Sequence, residues 1–270
     1  MNIGNKSRAL IAVLTAIIYN CACTFPHLGW YWLTNILRKR DTEYRNGMCR
    51  RMTNHGERLF RLLCSILDIT VDFCADNKLQ GLQKPLIVIV NHQSIMDIPL
   101  LFAVMKWLNL PHVRWIMKEN IGLTPFGWFS KQVHSAFVSR KNGVKDIKAV
   151  TTCGEYAQDD HAAVVLFPEG TRFTRTIQNS GLTHLRPPKV GGFECLVRTM
   201  PNADIVSITL CWTQNGQGRH AARTVFDADS LVGKRVIIRT KRIEAASFEN
   251  TKDWLQAHWL EKDLELEHLV

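Results

Sequence analysis

Leu86-Ile87-Val88-Ile89-Val90-Asn91-His92-Gln93-Ser94-Ile95-Met96-Asp97 decides how this chain folds. The five apolar residues after Pro85 have the length and β-branching of a strand buried on both faces. Such strands belong to parallel sheets covered by helices, and here a histidine stands where the strand ends. A carboxylate follows five residues on. On an unbroken α-helix that spacing turns the side chain roughly 140° beyond a full turn, so His92 and Asp97 would face apart. They meet if His92 lies in the turn and Asp97 opens the next helix. Asp97 can then orient the imidazole and stabilise its cation. The same spacing also fits a core histidine beside a helix-capping aspartate.

Outward from this stretch, further strand candidates recur at Val113–Met117, Ala136–Val138, Ala162–Phe167, Asp204–Cys211 and Arg235–Thr240. Ile98–Trp107 and Lys145–Asp159 read as helices between them. Residues 51–73 read as one amphipathic helix, with Leu59, Leu62, Leu63, Ile66 and Leu67 at helical spacing. Phe248–Leu266 reads as a C-terminal helix. Lys118-Glu119 and the breaker-rich stretch Gly122–Gly127 form a connection. The alternation predicts an α/β fold, a mainly parallel central sheet flanked by helices, with ligands beyond the carboxyl ends of its strands.

The 270 residues, 46% of them hydrophobic, suit one such domain with appended helices. A formal net charge of +10 calls for an anionic partner: a membrane surface, a phosphorylated substrate or nucleic acid. No helix-turn-helix, zinc-finger or RNA-binding aromatic pattern accompanies the charge, so no nucleic-acid partner is expected. The eight cysteines form no C-x-x-C pair and read as small buried hydrophobes in a reducing compartment, with no metal site implied.

Between Ala9 and Leu37 no residue carries a formal charge, while Lys6, Arg8 and Arg38-Lys39-Arg40 flank the run. Its most apolar part, Ala9–Phe25, is near the lower limit of the ~17–25 residues that span a bilayer. Pro26 and Gly29 are expected to interrupt it, and Trp30-Tyr31-Trp32 has the aromatics of a membrane interface. A single span, a re-entrant hairpin and a buried helix all remain open. Basic residues at both ends favour a hairpin returning to the cytoplasmic face; a cleaved signal peptide fits least well, for want of a small-x-small site. Residues 1–50 are therefore read as a membrane-associated helical segment and 51–270 as the domain it anchors.

A second motif, Phe167-Pro168-Glu169-Gly170-Thr171-Arg172, ends the Ala162–Phe167 strand as Asn91-His92 ends its own. Gly170 permits a tight turn, Thr171 and nearby amides can hold a phosphate, and Arg172 supplies a bidentate anion fork. Glu169 can orient that arginine or grip a hydroxyl.

Together these stretches resemble the glycerolipid acyltransferases, the family of 1-acylglycerol-3-phosphate (lysophosphatidic acid) acyltransferase. The N-H-x4-D block is Asn91-His92 through Asp97, the F-x-x-R block is Phe137-Val138-Ser139-Arg140, and F-P-E-G-T-R is intact at Phe167–Arg172. Lys118–Gly127 looks like the block between the first two. The fourth block departs, with Ser207 where the family usually has proline, and Leu185–Gly192 looks like a bacterial subgroup. The resemblance implies a membrane-bound enzyme moving a fatty acyl group from acyl-CoA or acyl carrier protein to lysophosphatidic acid, giving phosphatidic acid. His92 would be the base and Asp97 its partner. Asn91, Lys118, Phe137, Arg140, Glu169, Gly170, Thr171 and Arg172 would bind substrate. No cofactor is implied beyond the acyl thioester. The expected partners are lysophospholipid, acyl thioester, an anionic membrane and acyl carrier protein; the expected site is the cytoplasmic face of the cell inner membrane. Other lysophospholipids or glycerol 3-phosphate remain alternative acceptors. A thioesterase or hydrolase could direct the same base at water.

Overall fold

The computed structural model describes residues 3–35, 42–79, 82, 84–110, 112–173, 180–214, 217–218, 224–244 and 250–269. In chain order the elements are α1 (Ile3–Asn35), α2 (Thr42–Leu67), β1 (Thr70–Cys74), β2 (Leu86–Val90), α3 (Asp97–Trp107), β3 (Val113–Lys118), α4 (Pro125–Gln132), β4 (Ala136–Val138), α5 (Gly143–Asp159), β5 (Ala163–Leu166), α6 (Val190–Thr199), β6 (Asp204–Gln214), β7 (Gln217–Gly218), β8 (Arg235–Ile243) and α7 (Thr251–His268). Short 3-10 helices include Glu119–Leu123 and Val225–Leu231.

The strands form one sheet in the order β1-β8-β6-β2-β5-β3-β4, with β7 paired to β6. The β2–β5, β2–β6, β3–β5, β3–β4 and β1–β8 pairings are parallel; β8 and β7 run antiparallel to β6. The α/β fold with a mainly parallel, helix-flanked sheet is thus present. All five β2 residues are buried, and they alternate between two cores. Leu86, Val88 and Val90 join residues of α1–α4 on one face, whereas Ile87 and Ile89 join α5, α6 and α7 on the other. Burial of each such side chain stabilises the fold by about 1.5–3 kcal/mol, which is why an uninterrupted apolar run belongs at the sheet's centre.

Three sequence expectations are corrected. The segment 51–73 is not one helix: α2 starts earlier, at Thr42, and ends at Leu67, and Phe73 lies in β1. Asp68 takes a left-handed conformation (φ 57) and the Ile69 N–H bonds back to Cys64 O at 2.9 Å, closing the helix so that a strand can begin. Pro26 and Gly29 do not interrupt the N-terminal run, since α1 continues through both to Asn35. A proline removes one helical hydrogen bond, and the exposed position of Pro26 leaves that loss to solvent. The stretch Gly122–Gly127 is also more than a connection, because Pro125 opens α4, whose first turn is capped by the Thr124 hydroxyl accepting the Gly127 N–H at 3.1 Å.

Helix α2 crosses residues 50 and 51 without a break. It is fixed to the sheet by a buried ion cluster in which Asp160 accepts Arg45 Nε and Nη2, each at 2.8 Å, and also Arg114 of β3. The basic triplet Arg38-Lys39-Arg40, the side chains of Trp30-Tyr31-Trp32, and Phe248 lie outside the described residues.

Candidate active site

Because β2, β5, β3 and β4 are parallel neighbours, their carboxyl ends open on one edge. The residues just past those ends are His92 after β2, Phe167–Arg172 after β5, Lys118 at the end of β3 and Arg140 after β4. They meet in a cleft of about 580 Å³ lined by His92, Lys118, Arg140, Gly170, Thr171 and Arg172. The amino ends of α5 and α6 also open here, at Gly143 and at Gly191-Gly192 with Lys189 alongside. Four cationic side chains and two helix amino ends give the cleft an anion-attracting field.

His92 and Asp97 meet as the turn-then-helix arrangement requires: Nδ1 lies 2.8 Å from Asp97 Oδ2. That oxygen also accepts the backbone N–H groups of Gln93 (2.7 Å) and Ser94 (2.8 Å). The other carboxylate oxygen accepts the indole N–H of Trp212 at 2.8 Å. Asp97 is fully buried yet has donors on both oxygens, as a buried carboxylate needs. A carboxylate so engaged is an acceptor, so the imidazole proton sits on Nδ1 and leaves Nε2 as the basic nitrogen. The ring stacks on Phe167, centroids 4.2 Å apart, which fixes its plane.

Three expected substrate contacts lie elsewhere. Asn91 is completely buried, and its side-chain amide exchanges two 2.8 Å hydrogen bonds with the backbone of Leu210, pinning the β2 end to β6. Glu169 is 1% exposed and accepts the backbone N–H of His92 (2.8 Å) and of Arg186 (3.0 Å). Burial pushes its carboxyl up to about 8, against the pull of those two N–H groups. Phe137 packs against the helical core and under the Lys131 ammonium, 5.7 Å from its ring centre. These residues hold the cleft's walls and do not line it.

Gly170 has φ +72, the left-handed region that favours glycine; a Cβ there would meet only the flexible Lys189 side chain, at 3.3 Å. Arg140 adopts φ 64, unusual for a residue with a side chain. Asp146 of α5 supports it, accepting the N–H groups of Ser139 (2.7 Å) and Arg140 (2.6 Å). Burial raises the Asp146 carboxyl, but these bonds outweigh it and hold the group below the usual range. Asp146, Gln93 and Trp212 were not singled out in the sequence. Gln93 Oε1 accepts the Trp212 backbone N–H at 3.2 Å, a contact between residues 119 apart.

A histidine oriented by a buried carboxylate beside a cationic cleft, at the carboxyl edge of an α/β sheet, is an arrangement capable of general-base chemistry on an anionic substrate. The chain belongs to the acyltransferase family, whose model matches residues 70–211. It is an acyltransferase. Its fold is similar to that in the crystal structure of the 1-acyl-sn-glycerophosphate (LPA) acyltransferase, PlsC, from Thermotoga maritima. The TM-score is 0.63 over 98% of this chain and 97% of that one, at 17% sequence identity. No curated protein matches the chain in sequence.

Proposed function

We propose that this acyltransferase moves a fatty acyl group from an acyl thioester, of coenzyme A or of acyl carrier protein, to the free hydroxyl of lysophosphatidic acid, giving phosphatidic acid. The observation that carries the reading is the 2.8 Å contact between His92 Nδ1 and Asp97 in a cleft shared with Lys118, Arg140 and Arg172. Nε2 of His92 takes the hydroxyl proton as the acceptor oxygen attacks the thioester carbonyl. The C–S bond breaks, the ester forms, and the imidazolium returns the proton to the leaving thiolate. Asp97 stabilises the intervening cation. The cationic side chains and the α5 and α6 amino ends bind the acceptor phosphate, each charge-assisted bond contributing about 1.5–3 kcal/mol.

The acceptor lives in a bilayer, and α1 supports attachment there. Gly4–Cys23 is long and apolar enough to cross a membrane. Ala9 and Ala12 are buried against the domain, with Ala16 and Tyr19 packed on the same core, whereas Leu10, Ile11, Leu14, Ile17 and Ile18 face outward. We read this one-sided helix as lying in the interface plane of the inner membrane, on its cytoplasmic side, apolar face to the lipid.

An acceptor panel tests the reading: glycerol 3-phosphate, lysophosphatidic acid and other lysophospholipids, each with one labelled acyl thioester. Label should enter lysophosphatidic acid fastest, and His92→Ala should reduce that rate by about 10²–10⁴-fold. Thioester consumption at the same rate with no acceptor would instead make the protein a hydrolase.

A further inference from the structure

We propose that Trp212 is a positioning residue of the reaction, holding Asp97, and through it the His92 ring, by its indole N–H. The inference rests on the reading of His92 as the base. None of the sequence blocks that identify the family assigns Trp212 a role, and it is not among the residues that line the cleft.

Its geometry is specific. Trp212 is fully buried near the end of β6, and both of its N–H groups are directed at the loop that carries the base. The backbone N–H donates to Gln93 Oε1 and the indole Nε1–H donates to Asp97 Oδ1. Asp97 Oδ2 is already held by His92 Nδ1 and two backbone N–H groups. Those three bonds converge on one atom and leave the carboxylate able to pivot about it. A fourth bond on the opposite oxygen removes that freedom and sets the plane in which Oδ2 meets Nδ1. In a fully buried carboxylate, loss of that bond also takes from Oδ1 the indole donor that satisfies it. The pivot would carry the ring away from the attacking hydroxyl, and small misplacements at a reacting centre are costly.

The test is a pair of substitutions ranked in opposite order by packing and by hydrogen bonding. Trp212→Phe keeps an apolar ring but has no donor. Trp212→His is smaller and polar, yet its Nε2–H occupies the ring position of the indole N–H. The Phe variant should lose about tenfold in kcat with KM for thioester and acceptor unchanged. The His variant, though melting lower, should be the more active of the two. If Phe equals or exceeds His in kcat, Trp212 is a packing residue and the proposal falls. Should either variant fail to fold, the wild-type indole ¹⁵N–¹H signal decides. Replacing His92 by Gln must move the Trp212 signal across Asp97; an unmoved signal overturns the proposal. A His92→Ala enzyme that stays active sinks the base itself, a result distinct from either of these.

Discussion

Glu169 Oε1 accepts the backbone N–H of His92 at 2.8 Å, joining two sequence motifs 77 residues apart. The glutamate of the Phe167–Arg172 turn is therefore engaged with the loop that carries His92. Its second oxygen takes the Arg186 N–H, and that strap is tied in turn to α7, where Asp263 accepts the N–H groups of Thr183, His184 and Leu185 and the Trp259 indole donates to Arg186 O. Glu169→Ala leaves two buried N–H groups without this acceptor, which costs about 1–3 kcal/mol. Thermal melting should show that loss. Activity should fall through kcat with acceptor KM nearly unchanged, and a pure KM effect would return Glu169 to the substrate side.

Arg172 and Arg140 line the cleft from the carboxyl ends of two parallel strands, β5 and β4. Arg172→Ala should raise KM for a phosphorylated acceptor about 10- to 100-fold, the equivalent of one charge-assisted bond. The KM for the thioester should change less. Steady-state kinetics with each substrate varied in turn checks both parts, and an unchanged acceptor KM would make the arginine structural.

Much of this was legible in residues 86–97 and 162–172, because buried parallel strands are written as unbroken apolar runs and their ends collect the polar turns. The strand β1 was hidden: Thr70–Cys74 is a sheet edge with no fully buried residue and no alternation of exposure, and it continues the spacing of the helix before it. Asp68, placed to cap that helix in a left-handed turn, was the available signal. Helix α6 was masked by Gly191 and Gly192 in its first turn, although Phe193 and Leu196 behind them are fully buried. The roles of Asn91, Gln93 and Trp212 depend on β6 lying beside β2. That adjacency joins residues 119 apart for both Asn91 and Gln93, and no local pattern reports it. Ser207, the departure from the family's proline, became interpretable only with its neighbours. β6 is paired on both sides at that residue, where a proline could not donate to the ladder, and the Ser207 hydroxyl meets His258 of α7 at 2.8 Å.

The outward face of α1 can be tested apart from its packing. Ile11, Leu14 and Ile18 are 53%, 49% and 66% exposed, so Glu in all three places leaves the contacts of Ala9 and Ala12 in position. Each buried apolar side chain lost from lipid is worth about 1.5–3 kcal/mol. The triple variant should leave the vesicle pellet in sedimentation while keeping its melting temperature and its turnover of detergent-dispersed acceptor. Continued pelleting would move the membrane contact elsewhere.

His258 gives the fold a calculable acid sensitivity. Burial, with help from Lys262 and Lys241, lowers its pKa to about 3, and its Nε2 bonds the Ser207 hydroxyl. Between about 6.5 and 3 the unfolded chain binds a proton at this position and the folded chain does not. Stability from this group is therefore complete above 6.5 and drains as pH falls, by at most about 1.4 kcal/mol per pH unit. Glu169 has the opposite slope: its carboxyl, raised from 4.5 to about 8, contributes most below 4.5 and loses that contribution as pH rises to 8. Comparison of wild type with His258→Gln cancels the Glu169 contribution. Denaturant midpoints between pH 7 and 5 should fall more steeply for wild type than for the variant, and parallel curves would place a proton on His258 in the folded state.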